Sequence, residues 1–189
     1  MNIEGFLQRL VAVLDQVGVP YMLSGSLASA FYGIPRSTQD IDIVVQMDLS
    51  RLRSLLRALP EDQYYVSEPA AMDALRRQGQ FNIIDMETGW KVDLIVCKRR
   101  PFSQMEFGRR RSEEVLGVAL MVCSPEDSIL SKLEWAKKSG GSERQLRDVS
   151  GVWQMRRAEL DQAYIEHWAH ELGVLDLWLQ IQQPEGSES

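Results

Sequence analysis

The sequence changes character at Ser124, and this change limits the folds open to it. Before that point, short apolar runs with strand-like alternation are interleaved with helical spacing, and after it only helical spacing occurs. The later part opens at 124–127 on Ser-Pro-Glu-Asp, which is typical of a capped helix start. We therefore predict an α+β fold with a small mixed β-sheet flanked by helices over 1–123. A C-terminal helical region over 124–183 and a flexible tail over 184–189 follow.

Turn residues and hydrophobic periodicity predict the individual elements. Strands are expected at 21–23, 41–45, 63–67, 81–86, 91–97 and 106–123, the last with a turn at Gly117. Thr88-Gly89 predicts a hairpin between the fourth and fifth of these. Helices are expected at 2–17, 27–32, from Asp48 or Ser50 to Ala58, and at 69–77, 124–138, 143–156, 160–172 and 174–182.

The overall charge argues against a protein that holds nucleic acid by its net field. The formal net charge is −6, so any contact with RNA would need a local basic patch. The runs at 98–100 and 109–111, each of three basic residues, are candidates for such a patch. The alternative is that both runs are solvated loop charges.

Two cysteines and the absence of a long apolar run indicate the compartment. Cys97 and Cys123 each end an apolar run and form no Cys-x-x-Cys pair, which favours buried thiols in a reducing environment. No apolar stretch approaches the length of a membrane span, and the acidic Glu4 is not typical of a secretory signal. We expect a cytoplasmic protein without a membrane partner.

An acid pair on an apolar strand is the strongest chemical signal. Asp40 and Asp42 flank Ile41, and residues two apart on a strand project from the same face. Two adjacent carboxylates repel each other unless a cation neutralises them, and carboxylate oxygens favour Mg²⁺ or Mn²⁺. The alternative is that Asp40 caps a turn and Asp42 faces solvent.

Two further features strengthen the metal interpretation. Gly25-Ser26 stands between a predicted strand and a helix, where backbone N–H groups and a hydroxyl suit a phosphate. Asp93 is a third acid within an apolar strand, so three acids on neighbouring strands are a plausible metal-binding triad. The alternative for Asp93 is an edge-strand charge that faces water.

With these features in place, residues 23–30 and 33–43 resemble the DNA polymerase beta-like nucleotidyltransferase superfamily. The resemblance lies in a Gly-Ser at a helix start, an acid-x-acid strand and a third acid on a later strand. The Arg-x-Thr before Asp-Ile-Asp more narrowly resembles the bacterial abortive-infection (AbiEii/MenT-type) toxin nucleotidyltransferases and their uncharacterised relatives. The resemblance is sharp over 21–46, fair through Asp93 and loose over the helical part.

The resemblance implies transfer of a nucleoside monophosphate from an NTP such as ATP to an acceptor hydroxyl. Gly25 and Ser26 would then hold the β and γ phosphates. Mg²⁺ or Mn²⁺ would bind to three acids, Asp40, Asp42 and Asp93, the last of which would also act as base.

The same resemblance assigns Lys132, on the helix after the sheet, and Asp148, further on, to complete the site. Lys132 would neutralise the triphosphate, and Asp148 would orient Lys132 or a metal-bound water. Arg36 is expected to clamp phosphate and Thr38 to fix a carboxylate rotamer. The alternative for Arg36 and Thr38 is that both only order the loop, and for Lys132 and Asp148 that both are surface charges.

The acceptor stays open at this level. A tRNA 3′ end is implied by the toxin resemblance, with a cognate antitoxin as partner. A protein hydroxyl is implied if the chain is an AMP-adding antitoxin that modifies a cognate toxin. The remaining possibilities are a small molecule such as an antibiotic, and a non-catalytic nucleotide-binding module, against which the intact acid triad argues.

Overall fold

The structure, a computed structural model, describes residues 3–38 and 40–183, so the predicted tail over 184–189 lies outside it. Within the described residues the chain forms seven strands and nine helices. No helix in this part of the chain is long and apolar enough to cross a bilayer.

The elements divide into two compact units that are not contiguous in sequence. The first unit runs to Ser24 and resumes over Thr38–Cys123, and the second combines Gly25–Ser37 with the described residues from Ser124 onward. The change of unit at Ser124 coincides with the change in sequence character. The short segment Gly25–Ser37, however, groups with the helices that follow Ser124 and not with the sheet.

All seven strands belong to the first unit, which accounts for the predicted mixed sheet. They are β1 (Tyr21–Ser24), β2 (Asp40–Val45), β3 (Tyr64–Val66), β4 (Gln80–Asp85), β5 (Lys91–Val96), β6 (Arg111–Val115) and β7 (Val118–Val122). They form one sheet in the order β3-β4-β5-β2-β1-β7-β6. Strands β2 and β5 are parallel, as are β1 and β7, and the other neighbours are antiparallel.

The helices are distributed between the units. They are α1 (Ile3–Gln16), α2 (Gly25–Tyr32), α3 (Leu49–Ala58), α4 (Glu68–Arg77), α5 (Pro101–Gly108), α6 (Pro125–Lys138), α7 (Glu143–Arg156), α8 (Gln162–Glu171) and α9 (Leu175–Gln182). Helices α1, α3, α4 and α5 belong to the first unit and the others to the second. The predicted N-cap Asp48 is confirmed, because its Oδ1 accepts a hydrogen bond from the Arg51 N–H at 2.8 Å.

The prediction of strand throughout 106–123 was wrong at its beginning. Helix α5 continues to Gly108, and strand begins only at Arg111. Pro101 starts this helix, where its missing N–H removes no intrahelical bond, and Phe102 and Phe107 are buried on the helix. The buried face of this helix includes the polar Ser103 and Glu106, so no apolar helical repeat marks it in the sequence, which is why the helix was overlooked.

The core of the first unit follows the alternation of the central strands. Ile41 and Ile43 on β2, and Val92 and Leu94 on β5, are buried. Asp42 on β2 lies between the two isoleucines and therefore projects from the opposite face of the sheet. The apolar side of the alternation thus packs the core, while its polar side presents carboxylates.

The second unit is a helical bundle whose first long helix is anchored at its start. Ser124 caps α6 by accepting from the Asp127 N–H at 3.1 Å, as predicted. The buried Asp127 carboxylate accepts from the Tyr164 hydroxyl of α8 at 2.6 Å. Trp153 of α7 and the fully buried Trp178 of α9 meet edge to face, with ring centroids 5.2 Å apart. These tryptophans pack helices, as the sequence suggested.

Candidate functional site

Polar side chains form a row across the middle of the sheet in the first unit. Ser24 on β1 pairs in register with Asp42 on β2, Asp42 with Asp93 on β5, and Asp93 with Asn82 on β4. In-register partners on neighbouring strands project from the same face, with Cβ atoms about 5 Å apart. Ser24, Asp42, Asp93 and Asn82 therefore make one continuous polar row, in which two carboxylates are adjacent.

Asp93 is the least satisfied member of this polar row. Its side chain is only 14% exposed, and its Oδ1 is buried without a hydrogen-bond partner among the described residues. Lys91 Nζ lies 3.2 Å from that oxygen, but the contact does not have the directionality of a hydrogen bond. Because a buried carboxylate oxygen without a donor is unfavourable by about 1–3 kcal/mol or more, Asp93 is suited to an external cation.

The donor chemistry of Asp42 and Asp93 fits a hard divalent cation. Both supply carboxylate oxygens, which Mg²⁺ and Mn²⁺ prefer, and Asp93 Oδ1, which accepts no hydrogen bond from the described residues, offers one position for such an ion. Over residues 3–38 and 40–183, however, no three His, Cys, Asp or Glu side chains are already gathered as a metal-binding group. The fit therefore rests on the adjacent pair.

Asp40 stands at the beginning of β2 and is exposed. Its backbone N–H donates to Thr38 Oγ1 at 3.3 Å, and Thr38 Oγ1 donates to the Asp40 carbonyl oxygen at 3.3 Å. Thr38 thus orders the backbone that leads into the strand, and its hydroxyl contacts the Asp40 backbone and not the Asp40 carboxylate. In register, Asp40 faces Lys91 across the β2–β5 pair.

The second unit contains a different polar cluster, formed by Ser26, Arg36, Lys132 and Asp148. Arg36 donates two hydrogen bonds to Asp148, from Nε to Oδ1 at 2.8 Å and from Nη2 to Oδ2 at 2.9 Å. Lys132 Nζ donates to the same Oδ2 at 2.7 Å. Ser26 Oγ accepts from Arg36 at 2.7 Å and from Lys132 at 3.3 Å. Arg36 and Lys132 thus both contact the Ser26 hydroxyl and the Asp148 carboxylate. We call these four residues the cation cluster.

Close helix packing brings this cation cluster together. A Cβ atom on Gly33, which follows α2, would lie 2.7 Å from the backbone nitrogen of Val152 on α7. Only glycine allows the backbones to approach so closely. Gly151 on α7 likewise lies against Ile34, where a Cβ atom would be 3.1 Å from the Ile34 nitrogen. This contact fixes the segment that carries Arg36 against the helix that carries Asp148.

The charge of Asp148 is stabilised by its two partners. Burial by itself would raise its pKa, because a low-dielectric surrounding disfavours the carboxylate. The hydrogen bonds from Arg36 and Lys132, together with their positive charges, outweigh this effect and lower the pKa of Asp148 below its ordinary value. Lys132 is 4% exposed, and its Nζ lies 2.7 Å from Asp148 Oδ2.

The structure thus distributes the predicted site residues over two groups. Asp42 and Asp93 lie side by side in the polar row, with Asp40 at the start of the same strand. Ser26, Arg36, Lys132 and Asp148 meet in the cation cluster. The contact of Asp148 with Lys132 was expected from the resemblance, whereas that of Asp148 with Arg36 was not. Gly25 begins α2 with φ at +65°, a backbone conformation that favours glycine.

Three residues were not predicted from the sequence. Ser24 and Asn82 belong to the polar row, and Lys91 lies beside Asp93. Asn82 stands between the buried Phe81 and Ile83, so the alternation of β4 could have indicated that it shares a face with other polar side chains. Its pairing with Asp93 depends on strand order and register, which a single sequence does not specify.

The similarity of this chain to known proteins lies in its fold and not in its sequence. No protein-family model matches the chain, and no curated protein matches it in sequence. Among solved structures, the antibiotic-resistance factor ANT(2″)-Ia superposes with a TM-score of 0.60 at 12% identity, over 93% of this chain and 94% of that one. An antigenic nucleotidyltransferase-like protein from Paracoccidioides brasiliensis gives 0.59 at 17% identity, over 95% and 91%.

A third structure is that of the lincosamide antibiotic adenylyltransferase LnuA, determined with lincomycin bound. It superposes with a TM-score of 0.54 at 13% identity, over 80% of this chain and 97% of that one. Identities this low establish the fold alone. The chain therefore has the fold of these nucleotidyltransferases, and its activity must be argued from its own residues.

Proposed function

We propose that the protein is a metal-dependent nucleotidyltransferase that transfers a nucleoside monophosphate from an NTP to an acceptor hydroxyl. The observation that carries this proposal is the adjacent pair Asp42 and Asp93, with the buried Asp93 Oδ1 lacking a donor among the described residues. The nucleotidyltransferase fold supports it, as does the resemblance of residues 21–46 to the polymerase beta-like superfamily.

In this proposal the carboxylates of the first unit act on the acceptor. Asp40, Asp42 and Asp93 hold Mg²⁺ or Mn²⁺, which when bound supplies positive charge to the attacking and leaving oxygens. Asp93 accepts the proton of the acceptor hydroxyl as general base. The hydroxyl oxygen then forms a bond to the α-phosphorus, the bond from the α-phosphorus to the bridging oxygen breaks, and pyrophosphate leaves.

The cation cluster of the second unit acts on phosphate in the same proposal. Ser26 and Gly25 stand in the first turn of α2, where backbone N–H groups have no partner inside the helix. Lys132 and Arg36 carry the positive charges that match phosphate oxygens. Asp148 is a positioning residue that holds both cations beside the Ser26 hydroxyl.

We propose a small organic molecule as the acceptor. Two proteins that share the fold support this choice, since ANT(2″)-Ia was solved with adenylyl-2″-tobramycin and LnuA with lincomycin. The net charge of −6 also agrees better with a small acceptor than with a polyanion. Because LnuA is an adenylyltransferase and the tobramycin bound to ANT(2″)-Ia is adenylylated, adenylyl transfer is the first form to test.

The decisive experiment incubates the protein with each of the four NTPs, labelled at the α-phosphate, and with aminoglycosides or lincosamides, total tRNA or a candidate partner protein. Each reaction is run with Mg²⁺ and with EDTA. We expect Mg²⁺-dependent label on an acceptor and release of pyrophosphate from the wild type, and neither from Asp42→Asn. Equal label on an acceptor with the wild type and with Asp42→Asn would overturn the mechanism. Unlabelled acceptors throughout, together with nucleotide binding, would indicate a non-catalytic module.

A tRNA 3′ end is the second candidate acceptor, and the Arg-x-Thr-x-Asp-Ile-Asp pattern at 36–42 favours it through its resemblance to the toxin enzymes. In that case the basic runs at 98–100 and 109–111 would contribute to tRNA binding, and a cognate antitoxin would be the partner. A tRNA that accepts label, but accepts none when its 3′ ribose has first been oxidised with periodate, would support this candidate. Label on protein would indicate an AMP-adding antitoxin instead.

A further inference from the structure

A second concave site lies in the first unit, at the far end of the parallel strands from Asp40. Its volume is about 520 Å³, within the range that binds small molecules. Gln46 and Cys97 line it, and each stands one residue beyond the carboxyl end of its strand, β2 or β5. Asp42 is four residues back along β2, which separates it from Gln46 by about 13 Å.

Three glutamines supply the polar wall of this cavity, and their amide nitrogens are already engaged. Gln46 Nε2 donates to Gln104 Oε1 at 3.2 Å, and Gln104 Nε2 donates to the Lys98 carbonyl oxygen at 2.8 Å. Gln78 Nε2 donates to the Cys97 carbonyl oxygen at 3.3 Å. The carbonyl oxygens of Gln46 and Gln78 accept no hydrogen bond from the described residues. The cavity therefore offers two oriented acceptors to a ligand that carries N–H groups.

The backbone conformation of Gln78 is unusual for a residue with a side chain, which points to a function for that side chain. Gln78 ends α4 in the left-handed conformation, with φ at +52° and ψ at 44°. Glycine is the usual residue at such a position, and another residue there is less stable by about 1 kcal/mol. The strain is therefore tolerated at a residue whose amide lines the cavity, and strained residues concentrate at functional sites.

The remaining walls define the shape and charge of the ligand. Met47 and Leu75 give an apolar surface against which a flat ring can pack, and methionine sulphur favours aromatic contact. Arg99 is exposed at the rim, next to the exposed Lys98, while no carboxylate from the described part of the chain lines the cavity. The thiol of Cys97 is neutral, because burial raises its pKa, and so it does not repel an anion.

We propose that this cavity binds a nucleotide whose base carries an exocyclic amino group. The amino group donates to Gln46 and Gln78, the ring packs on Met47 and Leu75, and a phosphate pairs with Arg99. Arg99, within the run at 98–100, thereby gains a role that transfer to a small organic acceptor does not give it. The nucleotide is either a free mononucleotide or the terminal nucleotide of an RNA.

The test is calorimetric titration of the full chain in EDTA, with 5′-AMP, 5′-CMP and 5′-UMP as probes. EDTA removes the divalent ions that binding at the carboxylates would require. We expect AMP and CMP to saturate the protein with a Kd of about 0.1–1 mM, and UMP to bind at least fivefold more weakly since uracil has no amino group. The absence of saturable binding of AMP and CMP up to about 10 mM, or equal affinity for UMP, would overturn the proposal.

Matched variants locate the binding. Gln46→Met, Gln78→Met and Arg99→Gln should each weaken AMP binding roughly three- to tenfold. Gln63→Met and Arg111→Gln change the same residue types outside the cavity and should leave the Kd within about twofold. A loss with Arg111→Gln as large as with Arg99→Gln, or a loss with Asp42→Asn, would place the binding elsewhere and contradict the proposal.

A measurement on the wild type alone guards against misfolded variants. Cys97 lines the cavity and is 7% exposed, while Cys123 is fully buried. Mass spectrometry can therefore follow slow alkylation of Cys97, with Cys123 as the internal control. AMP should slow alkylation of Cys97 several-fold without changing Cys123, and an unchanged Cys97 rate at saturating AMP would contradict the site. A short oligoribonucleotide that binds at least tenfold more tightly than AMP indicates an RNA terminus as the source, and equal affinity indicates a free nucleotide.

Discussion

The polar row of the first unit and the cation cluster of the second unit differ in how many hydrogen bonds the protein supplies to their carboxylate oxygens. In the cation cluster, the two oxygens of Asp148 accept three hydrogen bonds of 2.7–2.9 Å from Arg36 and Lys132. In the polar row, Asp93 Oδ1 has no donor among the described residues and lies beside a second acid. The first arrangement contributes to the stability of its unit, while in the proposed function a cation from outside completes the second. Substitutions should therefore separate loss of stability from loss of activity.

The largest effect is expected for Asp93→Asn. Loss of a metal ligand and general base should lower nucleotidyl transfer by about a thousandfold or more, while the free energy of unfolding changes by less than about 1 kcal/mol. Transfer assays and urea unfolding measure the two quantities, and Mg²⁺ should raise the Tm of the wild type but not of the variant. Asp62→Asn, an exposed acid of the same unit, is the control. A destabilisation above about 2 kcal/mol with unaltered transfer would show that Asp93 is structural.

Asp148→Asn should lower stability much more than Asp93→Asn, and transfer should fall as well because Asp148 positions Arg36 and Lys132 in the proposed function. The buried Lys132 and the partly exposed Arg36 lose their anion, so the free energy of unfolding should fall by about 3 kcal/mol. Asp73→Asn removes exposed ion pairs to Arg76 and Arg77 and should change stability by less than about 1 kcal/mol. Urea unfolding of both variants gives the comparison, and equal values for the two would mean that the cation cluster is no more stabilising than a surface pair.

Gly33→Ala tests whether helix packing builds the cation cluster. The new methyl group would meet the α7 backbone at 2.7 Å, and the strain should destabilise the protein by about 2 kcal/mol. Gly108→Ala has open space around it and should change stability by less than about 1 kcal/mol. Thermal unfolding distinguishes the two. If Gly33→Ala is neutral, then the close approach of the backbones does not constrain Arg36.

The smallest effect concerns pH. The pKa of Asp148 is lowered in the folded state, so its carboxylate contributes stability above the unfolded-state pKa of about 3.9. This contribution is lost as the pH falls through the lower pKa of the folded state. The difference in urea midpoint between the wild type and Asp148→Asn should therefore stay constant from pH 7 to 5 and narrow below about pH 4. A difference that persists undiminished at pH 2.5 would contradict the assignment.

Local signals in the sequence predicted much of the fold. Asp48 and Ser124 were recognised as caps because a side-chain oxygen at a helix start has a local partner a few residues later. Thr88-Gly89 marked the β4–β5 hairpin for the same reason, since the turn is closed by nearby residues. Helix α5 was overlooked because its burial depends on the rest of the first unit and not on a repeat visible over eight residues.

The candidate site was predictable only as a set of residue types. Asp40, Asp42 and Asp93 could be selected because acids in apolar strands are unusual, but the pairing of Asp42 with Asp93 requires the strand order. The ion pair between Arg36 and Asp148 joins residues 112 positions apart and depends on the close packing of the segment after α2 against α7. No periodicity in the sequence encodes such a long-range contact.

The discontinuity of the second unit has a consequence for biosynthesis. Helix α2 leaves the ribosome early, but the helices with which it groups begin only at Pro125, roughly ninety residues later. At about 5–20 residues per second, the nascent α2 waits on the order of 5–20 s for its partners. During that interval its buried face, which includes Leu27 and Tyr32, has no native cover from α6 and α7. The sheet unit has a similar delay, because β7 is made just before α6, but it is complete roughly sixty residues before α9 ends the described part of the second unit.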